Sequence, residues 1–254
     1  TKMLGERLGE IKTDYSNVSE KINFEVKNLS SQFKDPFFTD LKNINFTVKH
    51  GEIFGIAGVA GNGQSELMDI LTGENNKINT GKIIFDNKNI EKFNPKKRRD
   101  LSIAFVPENR LGHSAVPELT LSENILLSQF PNNKFINKGV IIHQNIENHV
   151  NKVISQFNVV TPGSDVKASS LSGGNLQKFV IGREILTNPK LLIISHPTWG
   201  IDAGAEFAIR ESLISLAKNG TSIIVLSQDL DELFEITHRV SVIFNGTLSD
   251  SFET

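Results

Sequence analysis

Cysteine is absent from all 254 residues, which removes disulfides and thiolate metal sites and suits a reducing compartment. An excess of charge is lacking too. The 27 Lys and Arg against 29 Asp and Glu leave a net charge of −2, with no electrostatic footprint for nucleic acid. Long apolar runs are also missing. Leu191 to Ile194 and Ile223 to Leu226 fall far short of the ~20 residues a membrane span needs. No basic segment followed by an apolar one opens the chain as a secretory signal would. The expectation is a soluble cytoplasmic protein that meets any membrane through a partner. Hydrophobic content of 38% and charged content of 22% are those of a globular chain with one well-buried core.

Period-two alternation from Ile22 (Phe24, Val26) and from Leu41 to Val48 (Ile44, Phe46) predicts half-buried antiparallel strands. Phe54 to Ala57 is a short buried-type run. It leads into the glycine-rich stretch Gly58 to Gly63, after which Leu67, Met68, Ile70 and Leu71 recur at helical spacing up to Gly73. Gly81 to Phe85 and Ile103 to Val106 predict strands, and residues 110 to 186 are mainly helical in pattern, with turns at Pro131 and Pro162. Leu191 to Ile194 and Ser222 to Leu226 flank a helix around Ala205 to Leu216, and Val240 to Leu248 reads as a hairpin turning at Asn245-Gly246. This order describes an α/β core with a parallel sheet.

Two motifs carry chemistry. Gly58-Val59-Ala60-Gly61-Asn62-Gly63-Gln64-Ser65 follows a strand and opens a helix, where backbone N–H groups and the helix N-terminus can surround a phosphate. Taken alone, it serves a tight turn as readily. In Leu171-Ser172-Gly173-Gly174-Asn175-Leu176-Gln177, Ser172 suits an N-cap and two glycines bare the start of a helix running to about Ile185.

With Val106-Pro107-Glu108-Asn109-Arg110 between these motifs and Leu191 to Asp202 after them, the chain from about residue 21 onward resembles the ATP-binding-cassette ATPases. LSGGN at Leu171 to Asn175 and Pro197 to Ala205 look like the second cassette of tandem sugar or nucleoside importers. The resemblance implies a P-loop NTPase (RecA-like) core with an antiparallel β-subdomain and an inserted α-helical subdomain at about 110–186. Met3-Leu4-Gly5-Glu6-Arg7 resembles the last residues of a preceding cassette, so residues 1–20 are expected to be a linker and 21–254 the domain.

The same resemblance implies that Gly58, Gly61, Asn62, Gly63, Gln64, Ser65 and Glu66 hold ATP phosphates, with Phe33 stacked on adenine and Ser65 a weak Mg²⁺ ligand. Phe37 and Phe38 lie beside Phe33, and among 17 phenylalanines a packing role is an equal reading. At the hydrolytic positions the chain departs from the family. Gln64 replaces the phosphate-binding lysine, Ser195 the metal-binding aspartate, His196 the water-polarising glutamate, Glu108 a glutamine and Gln228 the switch histidine. Weak ATP binding without turnover is the expectation here, since both supporting carboxylates are gone. Ser172, Gly173, Gly174 and Asn175 are expected to serve ATP held by the preceding cassette of the same polypeptide. Further partners implied are membrane-spanning permease subunits, touched through Arg110 to Leu121 around His113, and indirectly an extracytoplasmic substrate-binding protein. The implied location is the cytoplasmic face of the membrane.

Lys96-Lys97-Arg98-Arg99 reads as a solvated helix face and not a nucleic-acid patch. The six histidines lack metal-ligand spacing, and His196 reads as a substituted position. Ser195-His196 in place of an acidic pair favours the nucleoside branch. Two rivals remain, a soluble cassette protein of translation or DNA repair and a regulatory nucleotide sensor outside transport.

Overall fold

Strands buried on both faces alternate their side chains between two cores, and the computed structural model, which describes residues 18–129 and 135–254, shows this directly. In β9 (Leu191–Ser195), Leu191 and Ile193 enter one hydrophobic cluster while Leu192 and Ile194 enter the other. In β10 (Ser222–Ser227), Ile224 and Leu226 oppose Ile223 and Val225 in the same way. These strands pair in parallel with each other, with β3 (Ile53–Ala57) and with β6 (Ile103–Val106), giving the spatial order β3-β10-β9-β6. Beyond β3 lies β11 (Arg239–Phe244), also parallel, which turns at Asn245 and Gly246 into β12 (Thr247–Leu248) and also pairs with β13 (Phe252–Glu253).

The amino-terminal alternation forms a separate antiparallel sheet. It contains β1 (Ile22–Ser31), β2 (Leu41–Lys49), β4 (Thr80–Phe85) and β5 (Lys88–Asn89) in the order β2-β1-β4-β5. Phe24, Ile44 and Ile83 pack with α1 (Gln64–Thr72) against one face of the parallel sheet. Residues 107–186 hold α3 (Leu121–Ser128), a small hairpin of β7 (Ile136–Asn137) and β8 (Val140–Ile141), α4 (His143–Gln156) and α5 (Gly173–Ile185). Two further helices, α6 (Ala203–Lys218) and α7 (Leu230–Ile236), follow β9 and β10. The expected linker residues up to 17 and the turn at Pro131 lie outside the described residues. Among the described residues no helix is long and apolar enough to cross a membrane.

The basic run corrects its reading as a solvated face. It forms α2 (Pro95–Asp100), capped by Asn94, but Arg98 points inward and is 0% exposed. Its guanidinium donates to Phe93 O (3.0 Å), Ile90 O (3.2 Å) and Leu71 O, fastening α2 to α1 and to the segment after β5. Charge runs predict solvation from composition, whereas three converging carbonyls can satisfy a buried guanidinium. Burial pulls its pKa down to about 10, so it stays charged at neutral pH.

Half-buried Asp69 in α1 gives a stability prediction. Burial first, then the Glu74 and Glu66 carboxylates, push it up to about 6 against His113. A folded value above the unfolded one means stability is highest near pH 4 and is lost as pH rises to 6. Discounted for partial exposure, the loss is about 1 kcal/mol. Asp69→Asn is therefore expected to raise the melting temperature by about 2–4 °C at pH 8 and by nothing at pH 4. Thermal melts at the two pH values check it.

Candidate functional site

Loops leaving the carboxyl ends of adjacent parallel strands gather the predicted residues in one place, as open α/β sheets do. The loop after β3 carries Gly58 to Gly63, and those after β10, β9 and β6 carry Gln228, His196 and Glu108. Gly63 caps α1 at φ 107 with no side-chain cap, so the first N–H groups of that helix are left for a ligand or water. Gly61 sits at φ 82 with open space where a Cβ would be. Ser65 is exposed in the first turn.

Other members of the predicted set hold the loop in shape. Asn62 accepts from Asn245 N (3.0 Å) through its side chain and from Gly246 N (3.0 Å) through its carbonyl, tying the loop to the β11–β12 hairpin. Glu66 is 6% exposed and accepts from Thr39 N (2.9 Å), and Thr39 Oγ1 donates to Gly61 O (2.8 Å). Phe33 is half-buried and stacks on Phe38 at 5.6 Å, which leaves Phe37 93% exposed. Asn245 and Gly246 were readable as a turn but not as supports of this loop.

Gln64 is the decisive departure. It is 8% exposed, and its amide donates to Ile56 O (3.2 Å) and Ser227 O (3.3 Å), bridging β3 and β10. No cation enters the loop from this position. At the end of β9, Ser195 and His196 are buried, and His196 adopts a left-handed φ of 48. Burial lowers the imidazole pKa, against the Glu108 carboxylate, so the ring is neutral at pH 7. The backbone cradle thus fits a phosphate chain. For Mg²⁺ the Ser65 hydroxyl is present and Ser195 stands where the resemblance implies an aspartate, while the Glu108 carboxylate lies on the loop after β6.

One buried carboxylate does lie close by, unmarked by any motif. Glu232, 1% exposed, accepts from Thr198 Oγ1 (2.6 Å) and Ser227 Oγ (2.8 Å), joining the loop after β9 to the end of β10. Burial pushes its pKa up despite these donors. The sequence signal for it was modest: Asp229 caps α7 through Glu232 N.

The second motif lies where expected. Ser172 caps α5, accepting from Asn175 N (3.4 Å) and Asn175 Nδ2 (3.0 Å). Ser172 and Gly173 are exposed, whereas Asn175 is half-buried and accepts from Val160 N (2.9 Å). One turn further, Gln177 donates to His196 O (3.3 Å) and Pro197 O (3.1 Å). Arg110 donates to Trp199 O, and its guanidinium lies over Gly173. Together Glu108, Arg110, Gly173, His196 and Trp199 line an open cleft of 530 Å³ at the helix tip.

This arrangement has known counterparts. A family model described as "ABC transporter" matches residues 41–199. The nucleoside import ATP-binding protein NupA of Lactococcus lactis subsp. cremoris is 37% identical over 239 residues, covering 92% of this chain and 47% of the relative. The galactose/methyl galactoside import ATP-binding protein MglA of Escherichia coli is 35% identical over 253 residues, 99% of this chain and 49% of that protein. The chain thus spans about half the length of the curated relatives it matches. A solved dimeric, post-hydrolysis structure of the ATP-binding cassette MJ0796 bound to ADP and Pi shares the fold. Its TM-score is 0.77 at 22% identity, over 91% of this chain and 98% of that one. A match through both phosphate-site loops, carried by relatives of this identity, shows that the chain belongs to the ABC transporter family as a single ATP-binding cassette.

Proposed function

We propose that this cassette is the second half of a tandem importer ATPase, binding ATP weakly at a degenerate site of its own and lending Ser172, Gly173, Gly174 and Asn175 to the ATP of the first cassette. The observation that carries the reading is Gln64, turned away from the phosphate loop into the carbonyls of β3 and β10. A lost charge-assisted bond to phosphate weakens binding by about 1.5–3 kcal/mol, or 10- to 150-fold. The braced backbone cradle persists. Turnover does not, because neither Ser195 nor neutral His196 anchors a metal or polarises water as a carboxylate would. The tip of α5 remains open, with Ser172 and Gly173 exposed.

The cargo is a nucleoside or simple sugar, supported by the import proteins of 35–37% identity. Permease subunits hold the cassette at the cytoplasmic face of the membrane, and a substrate-binding protein acts on its far side. Their docking face is Arg110 to Leu121 together with a groove of 550 Å³ between α2 and α3. Leu119, Leu126 and Leu127 give that groove an apolar floor, and Lys96, Arg99 and Glu123 flank it, which suits an amphipathic helix.

The test is ATP hydrolysis by the purified chain alone with magnesium. No turnover above background is expected, and brisk turnover overturns the reading. Gln64→Lys is expected to tighten ATP binding by about 10- to 150-fold, read by calorimetry, with turnover still absent.

A further inference from the structure

A buried ion cluster lies away from the nucleotide chemistry, at the opposite end of α5 from its glycine tip. The Glu184 side chain is 0% exposed and Arg183 3%, while Arg99 is 22% exposed. Glu184 accepts from Arg99 Nη1 at 2.7 Å and from Arg183 Nε at 2.9 Å. Burial alone would push this carboxyl up, but the two guanidinium groups outweigh it and hold it below the usual range. The cluster joins three parts of the fold. Arg99 belongs to α2, flanks the apolar groove and lies 4.0 Å over the Phe105 ring of β6. Arg183 Nη2 donates to Ser114 O (2.9 Å), in the segment that follows Arg110. Glu184 itself lies in the last turn of a rod about 20 Å long whose second turn holds His196 and Pro197 through Gln177.

We propose that Glu184 is the positioning residue through which occupancy of the α2–α3 groove is transmitted to the Ser172–Asn175 tip. An occupant that displaces Arg99 takes one of two cations from a fully buried carboxylate. The carboxylate must follow Arg99 or turn wholly to Arg183, and either response moves the last turn of α5. A cavity of 120 Å³ lined by Arg99, Phe105, Ser114 and Arg183 gives the guanidinium groups room for a second arrangement. Because α5 is a continuous helix packed against β6 and α6, movement at its base reaches the tip as a rigid displacement. The role of the tip rests on the reading above; the linkage itself does not.

The absence of cysteine and the single tryptophan make the test unambiguous. Leu127→Cys, a position 57% exposed in the groove, is labelled with N-phenylmaleimide as a fixed occupant. Trp199, 56% exposed in the tip cleft, reports through its emission and acrylamide quenching. Labelling is expected to change the quenching constant about twofold, as a shift between two arrangements would. The same label on Lys218→Cys, at the far end of α6, is expected to change nothing. Adding Glu184→Gln should remove the Leu127 response, whereas Arg99→Lys should keep it. If Glu184→Gln fails to fold by circular dichroism, Arg99→Gln replaces it and should remove the response equally. No change on labelling Leu127→Cys, or an equal change in the Gln variants, overturns the proposal. Neither result depends on ATP turnover, so failure of the importer reading would be seen separately in the hydrolysis assay.

Discussion

In the proposed tandem protein, Ser172→Arg is expected to abolish ATP turnover while the cassette stays folded. Ser172 is exposed at the start of α5, where its hydroxyl accepts from the Asn175 backbone and side chain. Losing that cap costs about 1 kcal/mol, which a domain of this size tolerates. The functional cost is greater. A long cation at the tip fills the space a γ-phosphate would enter and prevents close approach of the Gly173 and Gly174 backbone. Donors aimed at a reacting phosphate act together with its positioning, so a loss of at least about 100-fold is expected. Steady-state hydrolysis by the full protein, beside a thermal melt of the same preparation, is the measurement. Unchanged hydrolysis would show that this tip serves no other site.

Gly246→Ala carries the largest expected effect on stability. Gly246 follows Asn245 in the β11–β12 turn, and both have positive φ, at 72 and 47. A Cβ there would drive into the Asp40 carbonyl far inside van der Waals contact, with Thr39 Cγ2 only 3.3 Å away. Backbone cannot yield as a flexible side chain does. The hairpin must move, breaking the bonds from Gly246 N to Asn62 O and from Lys42 N to Gly246 O. Steric overlap, strain and two lost hydrogen bonds sum to about 4 kcal/mol, or roughly 10 °C in melting temperature. Calorimetric melting checks this, and a drop of less than about 2 °C would show that the turn relaxes freely.

Much of this fold was legible because its signals are local. Alternating apolar residues gave the strands, glycines beside helical spacing gave the loop–helix junctions, and Asn245-Gly246 gave the hairpin turn. Contacts made across long sequence separations were hidden. Nothing near Arg98 says that the carbonyl of Leu71, 27 residues earlier, will accept a hydrogen bond from it, so the basic run read as solvated. Asn62 and Glu66 are expected as ligand contacts from their place at the loop and the helix it opens, and no local signal says what else they touch. Folding adds the bonds from Asn245 and Thr39 through which they also brace the loop. Glu232 and Glu184 escaped for a related reason: a buried carboxylate is recognisable only through donors that folding brings to it, and no spacing rule lists them.

The bracing of the phosphate loop has a thermodynamic consequence. A loop tethered at Gly61, Asn62 and Glu66 is held in one shape before any ligand arrives, so an arriving nucleotide has little chain disorder to remove. In the proposed tandem pair, such a braced loop would serve as a bearing surface against which the other cassette closes and reopens.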